Sequence, residues 1–287
     1  MAEYVIMTDS GSDIDPKVLK EWGVETSNLT FHFEDGIEHS NTEMDTKEFY
    51  KRMRDGEVSK TAAINIDTFK NMFEPALQAG KDILYIGFSS GISSTSSSGI
   101  MAAKELQEKY SERKIIAIDT LCASAGQGLM VYLAVKKKEE GASIEENGKF
   151  VEDNIQNIGH WFTVDDLKYL VRGGRVSAAA AFAAGVLGIK PVLHVDEEGC
   201  LINMAKVRGR AQSIKALAKK YSETALDPKN GPYFISHGDC MEDVKMLEDL
   251  IVAEHGNKCT HITDIGPVIG SHAGPGTVAL FFPATGR

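Results

Sequence analysis

The sequence has few cysteines, more acidic than basic residues, and no long apolar run. Its four cysteines are Cys122, Cys200, Cys240 and Cys259, and no two of them form a CxxC pair. This spacing does not match a zinc site or a disulfide framework, and it predicts free thiols in a reducing compartment. The longest weakly polar stretch, residues 176–189, is too short to cross a bilayer.

The charge balance of the chain is acidic. Lysine and arginine number 31 against 41 aspartates and glutamates, which gives a net charge of −10. Such a chain lacks the broad basic surface of a nucleic-acid binder. Anionic membrane surfaces should repel it, so any membrane contact would be transient. Residues 1–9 hold an acidic residue and only a short apolar run, which indicates a first strand and not a signal peptide. Together these features predict a soluble cytoplasmic protein.

The first half of the chain alternates strands and helices. Strands are predicted at 4–7, 26–33, 82–88 and 114–118, and helices at 15–22, 45–53, 66–79, 125–138 and 143–157, with another ending near 110. Unbroken apolar strands between helices indicate a parallel sheet that is covered on both faces. We therefore predict an α/β domain over residues 1–158.

The second half of the chain has a different pattern. Short strands are predicted at 161–164, 191–195, 201–206, 232–236, 260–263 and 278–282, and helices at 164–171, 212–221 and 241–254. The turn residues at 196–199 predict a hairpin. This mixture indicates an α+β domain with a mainly antiparallel sheet over residues 159–287.

A hydroxyl-rich loop follows the strand at 82–88. Residues 89–98 contain seven serines and one threonine, at the edge of a parallel sheet where ligands bind. The N–H groups of the following helix and these hydroxyls would suit a phosphate, sulfate or carboxylate. The alternative is a serine-rich helix cap with solvated hydroxyls. The loop has neither the second glycine of a Gly-x-Ser-x-Gly nucleophile elbow nor a Gly-Lys-Ser/Thr phosphate loop.

Two arginine-glycine turns and one histidine are further candidates for binding an anion. Arg175 closes the segment 172–175, Arg-Gly-Gly-Arg, and Arg208 opens Arg-Gly-Arg at 208–210. A guanidinium matches phosphate and carboxylate geometry, although such turns can also be simple surface charge. His272 precedes a Gly-Pro-Gly turn that would hold it rigidly, and the alternative is a histidine in solvent.

Six segments, taken in order, resemble the DegV family over essentially the whole chain. They are Thr8-Asp9-Ser10, Ser59-Lys60-Thr61, the loop from Ser89 to Thr95, Asp119-Thr120 with Gly126-Gln127-Gly128, Leu167-x-x-Leu170-x-x-Gly173-Gly174-Arg175, and His272-Ala273-Gly274-Pro275-Gly276. The resemblance implies a DegV-like fold with a fatty-acid tunnel between the two domains.

The resemblance also implies a function. Proteins of this family resemble the acyl-carrier subunit of bacterial fatty acid kinase, which presents a bound long-chain fatty acid to a separate ATP-dependent partner. Such a subunit has no catalytic residues, metal or cofactor of its own. The matched positions assign the carboxylate to Thr61, Ser93, Ser94 and His272. They assign partner or phosphate docking to Arg175 and Arg208.

The sequence departs from the family pattern near this site. Ala62 and Ala63 stand where family members carry a hydroxyl and a polar residue, Ser94 replaces a common glycine, and Ser96 replaces a common aromatic residue. These changes predict a wider carboxylate pocket or additional hydroxyl contacts.

Several alternatives stay open at this point. Ser93 and His272 could serve a hydrolase or transferase that acts on an acyl or phosphate ester. The pocket could also hold another amphipathic carboxylate for regulation. The small residues at 178–188 would leave room for an acyl chain, but they would equally permit close helix packing.

Overall fold

A computed structural model of the chain describes residues 3–177 and 188–287. Within those residues the strands are β1 Tyr4–Asp9, β2 Val24–Ser27, β3 Thr30–His32, β4 Glu38–Ser40, β5 Lys60–Ala62, β6 Asp82–Gly87, β7 Ile115–Asp119, β8 Ile158–Thr163, β9 Ile189–Val195, β10 Leu201–Arg208, β11 Phe234–His237, β12 His261–Asp264 and β13 Val278–Pro283. The helices are α1 Pro16–Glu21, α2 Thr46–Arg54, α3 Ile66–Gln78, α4 Thr95–Lys109, α5 Ala125–Glu139, α6 Ile144–Asn154, α7 Lys168–Arg172, α8 Arg210–Thr224, α9 Met241–His255 and α10 Pro267–Ala273. Positions 178–187 of the small-residue run lie outside the described residues.

A four-stranded parallel sheet organises the first half of the chain. Its strand order is β2-β1-β6-β7. Every residue of β1 and β6 is buried, which explains why these strands are unbroken apolar runs in the sequence. The predicted parallel α/β class is therefore confirmed for this half.

A six-stranded sheet organises the second half, with the strand order β10-β9-β8-β13-β11-β12. Only the β11–β12 pair is parallel, so the predicted mainly antiparallel sheet is confirmed. The predicted hairpin at 196–199 joins β9 to β10. The predicted domain boundary at residue 158 falls at the start of β8 and stays a prediction.

One local prediction was wrong, and one helix was not predicted. The single strand expected at 26–33 is split between β2, in the parallel sheet, and β3, which pairs with β4 and β5 in a separate antiparallel sheet. At the break, Leu29 N donates to Ser10 Oγ, so this N–H group is not available for a hydrogen bond to a neighbouring strand. No helix is predicted at 267–273, where the structure has α10, and His272 lies in this helix just before the Gly-Pro-Gly segment.

The described residues can also be compared with what a membrane span and a metal site require. In the described ranges 3–177 and 188–287, no helix is both long and apolar enough to cross a membrane. Those same ranges hold no group of three or more His, Cys, Asp or Glu side chains that could bind a metal ion. The four cysteines are free.

Candidate functional site

A cavity of about 400 Å³ lies where the carboxyl ends of β1, β6 and β7 face the six-stranded sheet. Gly11, Phe88 and Ala123 follow those three strands and line one side of it. Phe162 of β8 and Phe281 of β13 line the other side. Its volume is within the range of small-molecule pockets, which is roughly 300–1,000 Å³. Its place is also the usual one for a ligand in an α/β sheet.

Most of the described cavity wall is apolar. Strand β13 alternates: Ala279 and Phe281 face the cavity, whereas Val278, Leu280 and Phe282 pack in a separate core. The apolar lining residues are Leu29, Ala62, Ala63, Phe88, Ile92, Ala123, Phe162, Leu170, Val195, Leu201, Ile265, Val268, Ile269, Ala273, Ala279 and Phe281. This composition suits a hydrocarbon ligand.

Five of the six residues selected from the sequence line this one cavity. They are Thr61, Ser93, Ser94, Arg175 and His272. They come from β5, the hydroxyl loop, the turn after α7, and α10, so they converge only in the folded chain. Arg208 ends β10, is exposed, and is not among the residues that line the cavity.

A hydrogen bond of 2.9 Å joins Thr61 Oγ1 to His272 Nε2. Nδ1 of the same ring is buried and has no hydrogen-bond partner among the described residues. Burial, and secondarily the nearby Arg175, lower the pKa of His272 to about 4. The imidazole is therefore neutral at neutral pH.

Arg175 is the one Arg, Lys, Asp or Glu among the described residues that line the cavity. Its guanidinium is partly buried and donates to Gly173 O. It forms no ion pair with any carboxylate that the structure describes. Burial without such a pair lowers its pKa. The site thus offers a positive charge that lacks a counter-ion, beside neutral hydroxyl and imidazole groups.

Of the two loop serines selected from the sequence, Ser93 contacts the start of α4, and the Ser94 side chain does not cap it. Ser93 Oγ lies 3.0 Å from Thr95 Oγ1 and accepts from Thr95 N at 3.2 Å. Ser94 is the N-cap residue of α4, yet its side chain makes no capping bond. Ser93 is hydrogen-bonded to Thr95, and His272 is hydrogen-bonded to Thr61. Ser93 and His272 therefore do not form the nucleophile–base pair that a hydrolase would need.

Contacts from distant elements hold the hydroxyl loop in place. The buried carboxylate of Asp9 accepts from Gly11 N and Phe88 N, and also from Tyr85 Oη at 2.7 Å. Ser89 Oγ donates to Gly199 O of the β9–β10 hairpin at 2.8 Å. The sequence contains Asp9 in the segment Thr8-Asp9-Ser10 but does not indicate this role, because Tyr85 and Phe88 are far away in the chain.

Helix α10 is anchored at its start by two residues that the sequence analysis did not select as site residues. Asp13 Oδ1 accepts from Gly266 N at 3.0 Å, and Asn41 Oδ1 accepts from Val268 N at 2.7 Å. These bonds satisfy N–H groups that the helix itself cannot pair. Asn41 stands in a polar segment with no motif around it, so no sequence signal points to this role.

Asp13 should make the stability of the protein depend on pH. Burial raises its pKa from 3.8 to about 8, so the folded chain keeps a proton that the unfolded chain has lost. The free energy of unfolding should therefore fall as the pH rises between about 4 and 8. Asp13→Asn stays neutral and can still accept from Gly266 N, so it should flatten this slope. Urea titrations from pH 5 to pH 8 would measure it, and equal slopes in both proteins would contradict the assignment.

Comparison with known proteins gives one family. A family model described as an uncharacterised protein of the DegV family matches residues 3–285. A DegV domain-containing protein of Clostridium perfringens is 39% identical over 284 residues, which cover 98% of each chain.

Solved structures give the same result. A fatty acid binding DegV family protein from Thermus thermophilus matches with a TM-score of 0.88 and 27% identity, covering 99% of this chain and 100% of that one. A Thermotoga maritima protein described as revealing a fatty acid binding function matches with a TM-score of 0.84 and 29% identity, over 99% and 100% of the two chains. Family model, relatives and fold therefore agree that this chain belongs to the DegV family.

Proposed function

We propose that this protein binds a long-chain fatty acid in the cavity between the two halves of the chain. The observation that carries the proposal is a largely apolar cavity. Its described wall includes hydroxyl groups and Arg175, which has no carboxylate partner among the described residues. A sixteen-carbon tail would gain about 12 kcal/mol gross from burial of its methylenes. Solved relatives that bind fatty acids support the same ligand class.

The carboxylate of the ligand would lie at the polar part of the cavity wall. A carboxylate taken out of water needs several donors and a counter-charge. Thr61, Ser93 and Ser94 would supply the donors, and Arg175 would supply the charge. His272 would orient the Thr61 hydroxyl toward the carboxylate through the hydrogen bond at Nε2. Arg208, which is exposed at the end of β10, would contact a partner protein and not the ligand.

We further propose that the bound carboxylate is presented to a separate ATP-dependent kinase. A carboxylate oxygen would attack the γ-phosphorus of ATP, and acyl phosphate and ADP would result. The chain has no Gly-Lys-Ser/Thr loop for ATP, which supports a separate catalytic partner. Because ATP is a cytoplasmic substrate, we place the protein in the bacterial cytoplasm. We assign it no cofactor other than its bound fatty acid.

Native and denaturing mass spectrometry of the untreated protein tests ligand binding. We expect one long-chain fatty acid per chain, released on denaturation. The proposal would be refuted if the untreated protein contained no fatty acid and also failed to bind added fatty acid.

Ser93→Ala should weaken fatty-acid retention by roughly 10- to 100-fold, the effect of losing a hydrogen bond to a charged group. Release into lipid-free buffer would be followed by native mass spectrometry. Ser97→Ala is the matched control, because Ser97 is exposed on α4 and does not line the cavity. Equal retention in the two variants would count against Ser93 as a ligand contact.

The kinase proposal needs its own assay. The loaded protein with ATP and a bacterial fatty acid kinase subunit should yield acyl phosphate, and the loaded protein with ATP alone should yield none. If instead the protein alone hydrolysed an acyl ester, and Ser93→Ala abolished that activity, the chain would be a hydrolase.

A further inference from the structure

Gly173, the residue that follows α7, has an ordinary backbone conformation. Its φ of −72° and ψ of −10° lie in the right-handed helical region, which any residue adopts. Its successor Gly174 differs, with a φ of +71° that favours glycine. Backbone conformation therefore explains glycine at position 174 but not at position 173.

The reason for glycine at position 173 is the ring of His272. A Cβ atom built on Gly173 would lie 2.2 Å from His272 Nδ1 and 3.1 Å from its Cγ. Both distances are shorter than van der Waals contact, so the ring occupies the space that a side chain would take. This is the edge whose Nδ1 has no hydrogen-bond partner among the described residues. Packing on Gly173, and not a hydrogen bond, holds that edge of the ring.

Helix α10 and the residue that follows it are also closely packed against aromatic side chains. A Cβ on Gly270 would lie 2.6 Å from Tyr50 Oη, and a Cβ on Gly274 would lie 2.2 Å from Tyr169 Cδ2. These contacts, one in the helix and one directly after it, leave little room for α10 to shift as a unit. A methyl group at position 173 would have to turn the His272 ring, and the bond from Nε2 to Thr61 would be lost.

We propose that Gly173 is a positioning residue for the ligand carboxylate. Because Gly173 has no side chain, the His272 ring can lie where its Nε2 atom forms the hydrogen bond with Thr61 Oγ1. This inference rests on the proposed fatty-acid site. Gly173 does not line the cavity, and its effect on the ligand would pass through the imidazole.

Gly173→Ala should speed fatty-acid release roughly 10-fold or more, because Thr61 would lose the bond that orients it and with it the hydrogen bond to the charged carboxylate. His272→Ala should have a similar effect, and the double variant should release no faster than His272→Ala alone. Gly174→Ala is the matched control: it strains the same turn, and its added Cβ meets nothing within 4 Å. That control should melt at a lower temperature but retain fatty acid like the unmodified protein.

A readout without ligand separates this inference from the proposed function. Titration of the His272 imidazole by NMR should give a pKa near 4 in the unmodified protein and a value nearer 6.5 in Gly173→Ala, because a displaced ring gains solvent. An unchanged titration would overturn the inference, whether or not the protein binds fatty acid. Failure of fatty-acid uptake by the unmodified protein would instead refute the proposed function.

If Gly173→Ala folds poorly, the melting temperature tests the inference instead. Removal of the ring in Gly173→Ala/His272→Ala should then restore the melting temperature to that of His272→Ala. A double variant as unstable as Gly173→Ala would show that the added methyl clashes elsewhere, and the inference would fall.

Discussion

Arg175→Gln should raise the dissociation constant for a long-chain fatty acid by roughly 30-fold. Arg175 lines the cavity, is partly buried, and has no carboxylate partner among the described residues. Its loss would leave a buried carboxylate without a counter-charge, which costs about 2–5 kcal/mol for a fully desolvated pair. The partial exposure of Arg175 places the expected effect at the lower end of that range.

A fluorescent fatty-acid displacement titration would measure the effect. Arg175→Lys keeps the charge but loses the planar fork, so its affinity should be intermediate. Arg172→Gln is the matched control, because Arg172 is exposed on the same turn and does not line the cavity. If Arg175→Gln keeps its affinity but lowers phosphorylation by a kinase subunit, Arg175 serves partner docking and not the carboxylate.

Ala279→Phe should shorten the chain that the cavity accepts. Ala279 faces the cavity near the start of β13, so a phenyl ring there would occupy space otherwise open to the tail. Displacement of roughly four methylenes would weaken long-chain binding by about 3 kcal/mol, or roughly 100-fold. Shorter acids should still bind, and the unliganded protein should melt at the same or a higher temperature.

Competition between fatty acids of graded length would measure this preference, with Ala279→Val as a smaller step. Val278→Phe is the control on the same strand, because Val278 faces the separate core. It should overpack that core and lower the melting temperature without changing the preferred length. An unchanged length preference in Ala279→Phe would show that the tail does not lie along β13.

The fold class was predictable because its signals are local. An unbroken apolar run such as β6 indicates a strand buried on both faces, and turn residues at 196–199 indicate a hairpin. The errors occurred where the elements are short. Strands β4 and β5 have three residues each, and α10 has seven, so their periodicity is too brief to detect.

The sequence by itself determined the hydroxyl loop, the motif order and the residue types of the candidate site. Only the tertiary structure decided which of them meet. The Thr61–His272 bond spans 211 positions, and nothing in the sequence around either residue specifies the other. Arg175 lines the cavity and Arg208 does not, although their local sequences are alike.

The physical reason is that a local pattern encodes a residue's own backbone conformation, whereas packing sets its neighbours. Asp13 and Asn41 act on α10 because folding brings the segments that follow β1 and β4 against a helix more than two hundred residues later. Gly173 is the sharpest case: its sequence context and its backbone would accept a side chain, and only the folded position of His272 excludes one.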